Sequence, residues 1–190
     1  MGKTGMQNPR LGALTLLTVA AAATRLIPHP PNTTSVAALA LFAGAYFSSR
    51  WLAFLVPLLA LFASDLLLGV YPHMEVQYLS FAAIICVGFV LRRQRSFGRI
   101  AAAALASSVT FFVLTNLGVW AFDGMYPRTL AGLFSCFVAA LPFFRNTLLG
   151  DIFYTAVLFG GFHILERHFS VLREPATLGS SAPAASATVR

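Results

Sequence analysis

Between Thr115 and Tyr154 a strongly apolar chain breaks into amides, carboxylates and guanidinium groups: Asn116, Trp120, Asp123, Tyr126, Arg128, Arg145, Asn146 and Asp151. Each falls in or beside a segment apolar enough to sit in lipid, where such groups are costly unless they face one another, water or a ligand. Their clustering marks a polar site. The amides of Asn116 and Asn146 and the phenol of Tyr126 suit the orientation of a neutral ligand. Asp65, Asp123 and Asp151 supply carboxylates, but none has a base, acid or nucleophile beside it at motif spacing. No H-E-x-x-H, C-x-x-C, G-x-S-x-G or Gly-rich phosphate loop with Lys occurs in the chain. The sequence therefore points to no enzyme and no intrinsic cofactor, and energy for moving a solute uphill must come from elsewhere.

Other reactive residue types are dispersed. The loop histidines His29 and His73 can meet on one side, and Cys86 and Cys136 read as small apolar residues of their helices. Arg25, Asp65, Glu75, Asp123, Arg128, Arg145 and Asp151 are expected near one face, either as structural ion pairs or around a cavity open to the outside.

The elements that hold these groups follow from composition. Of 190 residues, 58% are hydrophobic and 10% charged, with mean hydropathy +0.78, which belongs to an integral membrane protein. The net charge of +7 does not indicate nucleic acid, because the basic residues are scattered between apolar runs and act as topology signals.

Apolar runs are expected to form helices at Leu11 to Ile27, Val36 to Phe47, Trp51 to Val70, Val76 to Leu91 and Ile100 to Ala121. A short piece from Thr129 to Leu141 follows, broken at Pro142, and a last run extends from Thr147 to Leu165. If Arg92 to Arg99 faces the cytoplasm, ten of the 13 Lys and Arg residues fall inside and only Arg25, Arg128 and Arg145 outside. That split requires Thr129 to Leu165 to make one net crossing, so the short piece reads as a half-buried helix on the outer side. The expected architecture is an all-α bundle of six transmembrane helices with an extra short outer helix before the last span. Residues 1–10 form a cytoplasmic leader, 11–166 the membrane domain and 167–190 a cytoplasmic tail too rich in Ala, Ser and Pro to fold. Ala37, Ala40 and Gly44, and the run Ala101 to Ala106, offer faces for close helix approach, within the chain or toward a partner.

A resemblance emerges from the order of motifs: Arg25-Leu-x-Pro-His-Pro-Pro-Asn32, Ala37-x-Leu-Ala-Leu-Phe-Ala-Gly-Ala-Tyr46, Ser64-Asp65, Thr115-Asn-x-Gly-Val-Trp120, Tyr126-Pro, and Leu141-Pro-Phe-Phe-Arg-Asn-Thr-Leu-x-Gly-Asp151. Over about residues 25–160 the chain resembles the S-components of energy-coupling-factor (ECF) vitamin transporters, most closely the solitary BtuM-type cobalamin transporters. The resemblance implies uptake of cobalamin (vitamin B12), or of another vitamin, across a bacterial cytoplasmic membrane, with both termini inside. The alternative outside the resemblance is a non-transporting structural membrane subunit, which would account for the Ala and Gly faces but not for the polar cluster. The resemblance also implies lipid as surroundings and either an ECF coupling subunit with ATPases as partners or solitary action. Expected in the pocket are Asn32, Ser80, Cys86, Asn116, Trp120, Tyr126, Asn146, Asp151 and Tyr154. Similarity to the BtuM type makes a cysteine thiolate the cobalt ligand, a soft donor suited to that metal. Cys86 is the expected ligand, although it lies deep in the fourth span, and Ser80 stands as the alternative occupant of the ligand position. Their six-residue separation puts them on different helix faces.

Overall fold

The computed structural model describes residues 8–28, 33 and 35–174, and these are helical with short connections. The helices are α1 (Pro9–Ala23), α2 (Val36–Tyr46), α3 (Arg50–Leu68), α4 (Met74–Phe89), α5 (Phe97–Phe122), α6 (Leu130–Thr155) and α7 (Gly161–His168), with a π-helical turn, Ala156–Gly160, joining the last two. Four stretches are long and apolar enough to cross a bilayer: Arg50–Leu68, Met74–Arg92, Phe97–Phe122 and Leu130–His168. By length and composition this is a helical membrane protein.

The bundle is built around α2. All of its residues are buried, and α1, α3, α4, α5 and α6 pack on it. Its small residues allow this: Ala37, Ala40 and Gly44 are all consumed in contacts within the chain, and Gly44 crosses Gly88 of α4 backbone to backbone. Phe42 and Tyr46 pack against Phe159 and Phe162 from the far end of the chain. An 11-residue helix covers only about 16 Å, half a bilayer core. At its N-terminus Ser35 is fully buried and donates to the Ala21 carbonyl at 2.6 Å, and Thr33 packs on Gly150 of α6.

At its other end, α2 leaves carbonyls without helical donors. Arg92 donates to the carbonyls of Gly44 at 3.0 Å and Phe47 at 2.8 Å, and Arg95 donates to that of Ala45 at 2.9 Å. The basic string read as a topology signal is thus also the C-cap of the buried helix.

Three expectations need correction. The short outer helix is not a separate element: residues 130–168 form one continuous 39-residue helix that runs through Pro142. A proline removes one backbone donor and crowds the preceding turn, but a long apolar helix packed along α5 tolerates it. The helix starts instead at Thr129, whose side chain accepts from the Gly132 amide at 3.1 Å. Asp151 therefore lies more than five turns into this helix, about 30 Å from its start, and not near the helix end where it was expected. The third correction concerns the termini. Asn8 caps α1 through the Leu11 amide and Pro9 occupies the first turn, so Arg10 of the expected leader is a buried helical residue. Arg10 donates to the Leu172 carbonyl and pairs with Glu166 at 2.6 Å, which draws residues 167–174 of the expected tail onto the bundle. The rest of the leader and tail lies outside the described residues.

Candidate functional site

The polar residues gather in three places along the bundle. At one end, α1, α3 and α4 meet at an ion pair. Arg25 lies 2.6 Å from Asp65, the two side chains being 8% and 2% exposed, and it also donates to Ser64 Oγ at 2.6 Å. The second Asp65 oxygen accepts from Tyr78 at 2.7 Å. Tyr71, in the turn before α4, bonds to Gln77, and desolvation, then the nearby Asp65 charge, pushes its phenol up to about 12. Beside this network His73 stacks on Phe122 and reaches Glu75 at 3.3 Å and Asp123 at 3.4 Å. Of the charges expected at one face, Arg25 and Asp65 thus form a structural ion pair, and Glu75 and Asp123 both reach His73.

Next to Gln77 a cavity of about 280 Å³ opens between α4, α5 and α6. Gln77, Thr115, Asn116 and Thr147 supply its hydrogen-bonding groups, and Phe111, Phe112, Phe143 and Phe144 its walls. Among the described residues no charged side chain lines it. The walls are braced from behind: Phe81 stacks on Phe111 with ring planes 7° apart, and Phe112 packs on Phe144 at 4.7 Å. Asn116 spends one amide hydrogen on the Phe112 carbonyl at 2.7 Å, which fixes the side chain at the cavity edge and leaves its oxygen available as an acceptor. A flat, uncharged molecule that exchanges hydrogen bonds at its rim fits such a lining.

A second cavity, of about 900 Å³, lies in the other half of the bundle between the start of α5 and residues 148–166. It is mostly apolar, with Tyr46, Arg95, Thr155, His163 and Glu166 as its polar groups, and the π-helical turn forms part of its wall. Between the two cavities Ser108 of α5 meets Asp151 of α6 at 2.6 Å, both buried.

The expected site residues separate across this arrangement. Asn116 lines the smaller cavity. Asp151 lies beyond its deep end. Trp120 donates to the Pro127 carbonyl at 3.1 Å and holds the turn before α6, where Tyr126 is half-buried. Tyr154 is half-buried against Phe153, and Asn146 is half-buried on α6. Ser80 is fully buried and donates to the Val76 carbonyl at 2.8 Å. Cys86 is exposed on α4, and neither it nor Ser80 lines either cavity. Asn32 lies outside the described residues, as does His29. Sequence reasoning missed Gln77, Thr115, Thr147, Ser108 and the four phenylalanines. One signal for them was present: Thr147, Asp151 and Thr155 recur every fourth residue, which makes a polar stripe down one face of an apolar helix.

No curated protein and no solved structure matches the chain significantly. Residues 6–176 match the profile of a family of unknown function (DUF6580), and the chain belongs to that family.

Proposed function

We propose that this protein binds a small, uncharged, ring-containing vitamin inside the bilayer of a bacterial cytoplasmic membrane and carries it across, as an S-component-like transport subunit. The observation that carries this reading is the smaller cavity, where an aromatic wall and four neutral hydrogen-bonding side chains converge with no charge among them. The proposed topology keeps six crossings with both termini inside, using the four helices long and apolar enough to span together with the shorter α1 and α2. In that arrangement α2, with about 16 Å of rise, supplies half a crossing. Energy comes either from a coupling subunit with ATPases or, in a solitary protein, from an ion gradient.

Cobalamin is the second reading, carried over from the resemblance. Pockets for drug-sized ligands span about 300–1,000 Å³, and a corrinoid is larger than such ligands, so it would require α5 and α6 to part. A thiolate bond to cobalt from Cys86 would place the corrin on the outside of α4.

Calorimetric titration of the detergent-purified protein with riboflavin, pyridoxine, nicotinamide and cobalamin tests both. The expected result is saturable binding of a small neutral vitamin, weakened by about tenfold, or 1.4 kcal/mol, in Asn116→Ala and Gln77→Ala. Tight cobalamin binding with a shifted corrin spectrum, lost in Cys86→Ala, would replace the small vitamin with a corrinoid. Folded protein that binds none of them would sink the transport reading.

A further inference from the structure

Thr147, Asp151 and Thr155 lie one turn apart on the buried face of α6, at 8%, 3% and 6% exposure. Thr147 lines the smaller cavity and Thr155 the larger. On α5 the same order holds: Phe112 lines the smaller cavity, Ala104 the larger, and Ser108 lies midway between them. Asp151 and Ser108 are thus the middle layer of a polar seam, with a cavity about 6 Å of helix rise away on either side.

The chemistry of this layer is that of a single carboxyl group without a countercharge. Ser108 is the side chain that bonds to Asp151, and no charged side chain reaches it among the described residues. The segment before α2 brings Thr33 against Gly150, and the one titratable residue of α2, Tyr46, lines the far cavity. On α6 itself Arg145 is exposed and Tyr154 half-buried. An ionised carboxylate in such surroundings pays a large desolvation cost that one neutral hydroxyl does not offset.

Ser108 Oγ lies within hydrogen-bond reach of two acceptors, Asp151 Oδ2 at 2.6 Å and the Ala104 carbonyl at 3.1 Å, and it has one proton to give. Two full bonds form together when the Asp151 carboxyl carries the proton and donates to Ser108, which then donates to Ala104; an ionised carboxylate would have to share the one serine proton with that carbonyl. When Asp151 gives its proton up, the serine hydroxyl turns to the carboxylate. One turn further on, the Thr155 hydroxyl is buried without a partner at the wall of the larger cavity. Water from that cavity reaches it only when the wall at Thr155 opens, and would then satisfy the hydroxyl and bring a proton acceptor within one turn of Asp151.

We propose that the Ser108–Asp151 pair is a proton-binding site in the wall between the two cavities, exchanging its proton with water that enters from either one. The balance is a proton transfer alone: the O–H bond of Asp151 breaks, and the proton passes to water as hydronium. As a coupling site for solute movement it rests on the proposed transport function; as a proton site it stands on this geometry.

Infrared difference spectroscopy of the full-length protein in lipid nanodiscs at neutral pH tests it. The expected result is a carbonyl band of a protonated carboxyl that disappears in Asp151→Asn and moves in Ser108→Ala, a variant that keeps the carboxyl should the first not fold. Transfer into deuterium oxide should shift the band within seconds. No such band in the wild type, or a band unmoved by Ser108→Ala, overturns the proton site. So does exchange as slow as that of core amides. Vitamin binding without the band would overturn this site and leave the transport reading standing, and the band without any vitamin binding would do the reverse.

Discussion

Gly44 and Gly88 cross with their backbones in contact, so that a Cβ built on either would lie 2.9 Å from the Cα of the other. This crossing seats α2 against α4, and through α2 it sets the position of every other helix. Alanine at either site must separate the two backbones. Gly44→Ala and Gly88→Ala should each destabilise the protein by about 1–3 kcal/mol or more, read as a lowered thermal unfolding midpoint in detergent. Gly12→Ala, on α1 where a Cβ meets nothing within 4 Å, should leave the midpoint unchanged or raise it slightly.

The Arg25–Asp65 pair joins the ends of α1 and α3 in a nearly solvent-free setting. Asp65→Asn leaves the guanidinium buried without a countercharge, which should cost about 3–5 kcal/mol. An Arg25→Met, Asp65→Leu double variant should recover most of that loss. If the double variant is no better than the single one, the pair holds the helix ends by geometry that apolar packing cannot replace.

The membrane class and the helix positions were legible because apolar runs and their breaks are written directly in composition. The path of the last helix was not. Pro142 and the polar residues Arg145 and Asn146 look like a break in any local window. Whether a helix continues through a proline depends on what packs beside it, and here α5 runs along its length. That misreading put Asp151 near the start of a helix instead of more than five turns into one. The burial of α2 was foreshadowed by Ala37, Ala40 and Gly44, but the capping of its end by Arg92 and Arg95 was hidden, since a basic string has the same appearance whether it faces lipid headgroups or carbonyls. Of the site, Asn116 was found because an amide stands out in an apolar run. The phenylalanines around it were indistinguishable from lipid-facing ones, because the chain holds 18.

Ala140 lines the smaller cavity with only a methyl group. Ala140→Phe places a ring inside it, and the vitamin and the ring cannot occupy that volume together. Binding should weaken by at least about tenfold, or 1.4 kcal/mol, with the unfolding midpoint kept or raised. Binding that persists at full strength would move the site out of this cavity.

The raised value of the Tyr71 phenol, from 10.0 to about 12, gives its contribution to stability a definite direction with pH. In the unfolded chain the phenol loses its proton near 10.0, while in the folded protein it keeps it to about 12. Unfolding therefore releases a proton in that interval, and stability falls as pH rises through it. The stability difference between the wild type and Tyr71→Phe should be flat below about pH 10 and should shift against the wild type above it, measured by chemical unfolding across the alkaline range.

Arg92 is a test of whether α2 depends on side chains from outside itself. Its guanidinium reaches the carbonyls of Gly44 and Phe47 together, 3.0 and 2.8 Å away, while its plane lies over Phe89 at 4.4 Å. Two carbonyls three residues apart are matched by a planar fork and not by a point charge. Arg92→Met should cost about 1.5–3 kcal/mol, the worth of a hydrogen bond to a charged group, and Arg92→Lys should recover little of it. Amide hydrogen exchange would locate the loss: protection should fall first at the last turn of α2 and at the Gly44–Gly88 crossing, before it falls in α5 or α6. Uniform loss across all helices would mean that Arg92 holds the bundle as a whole instead of the end of one helix.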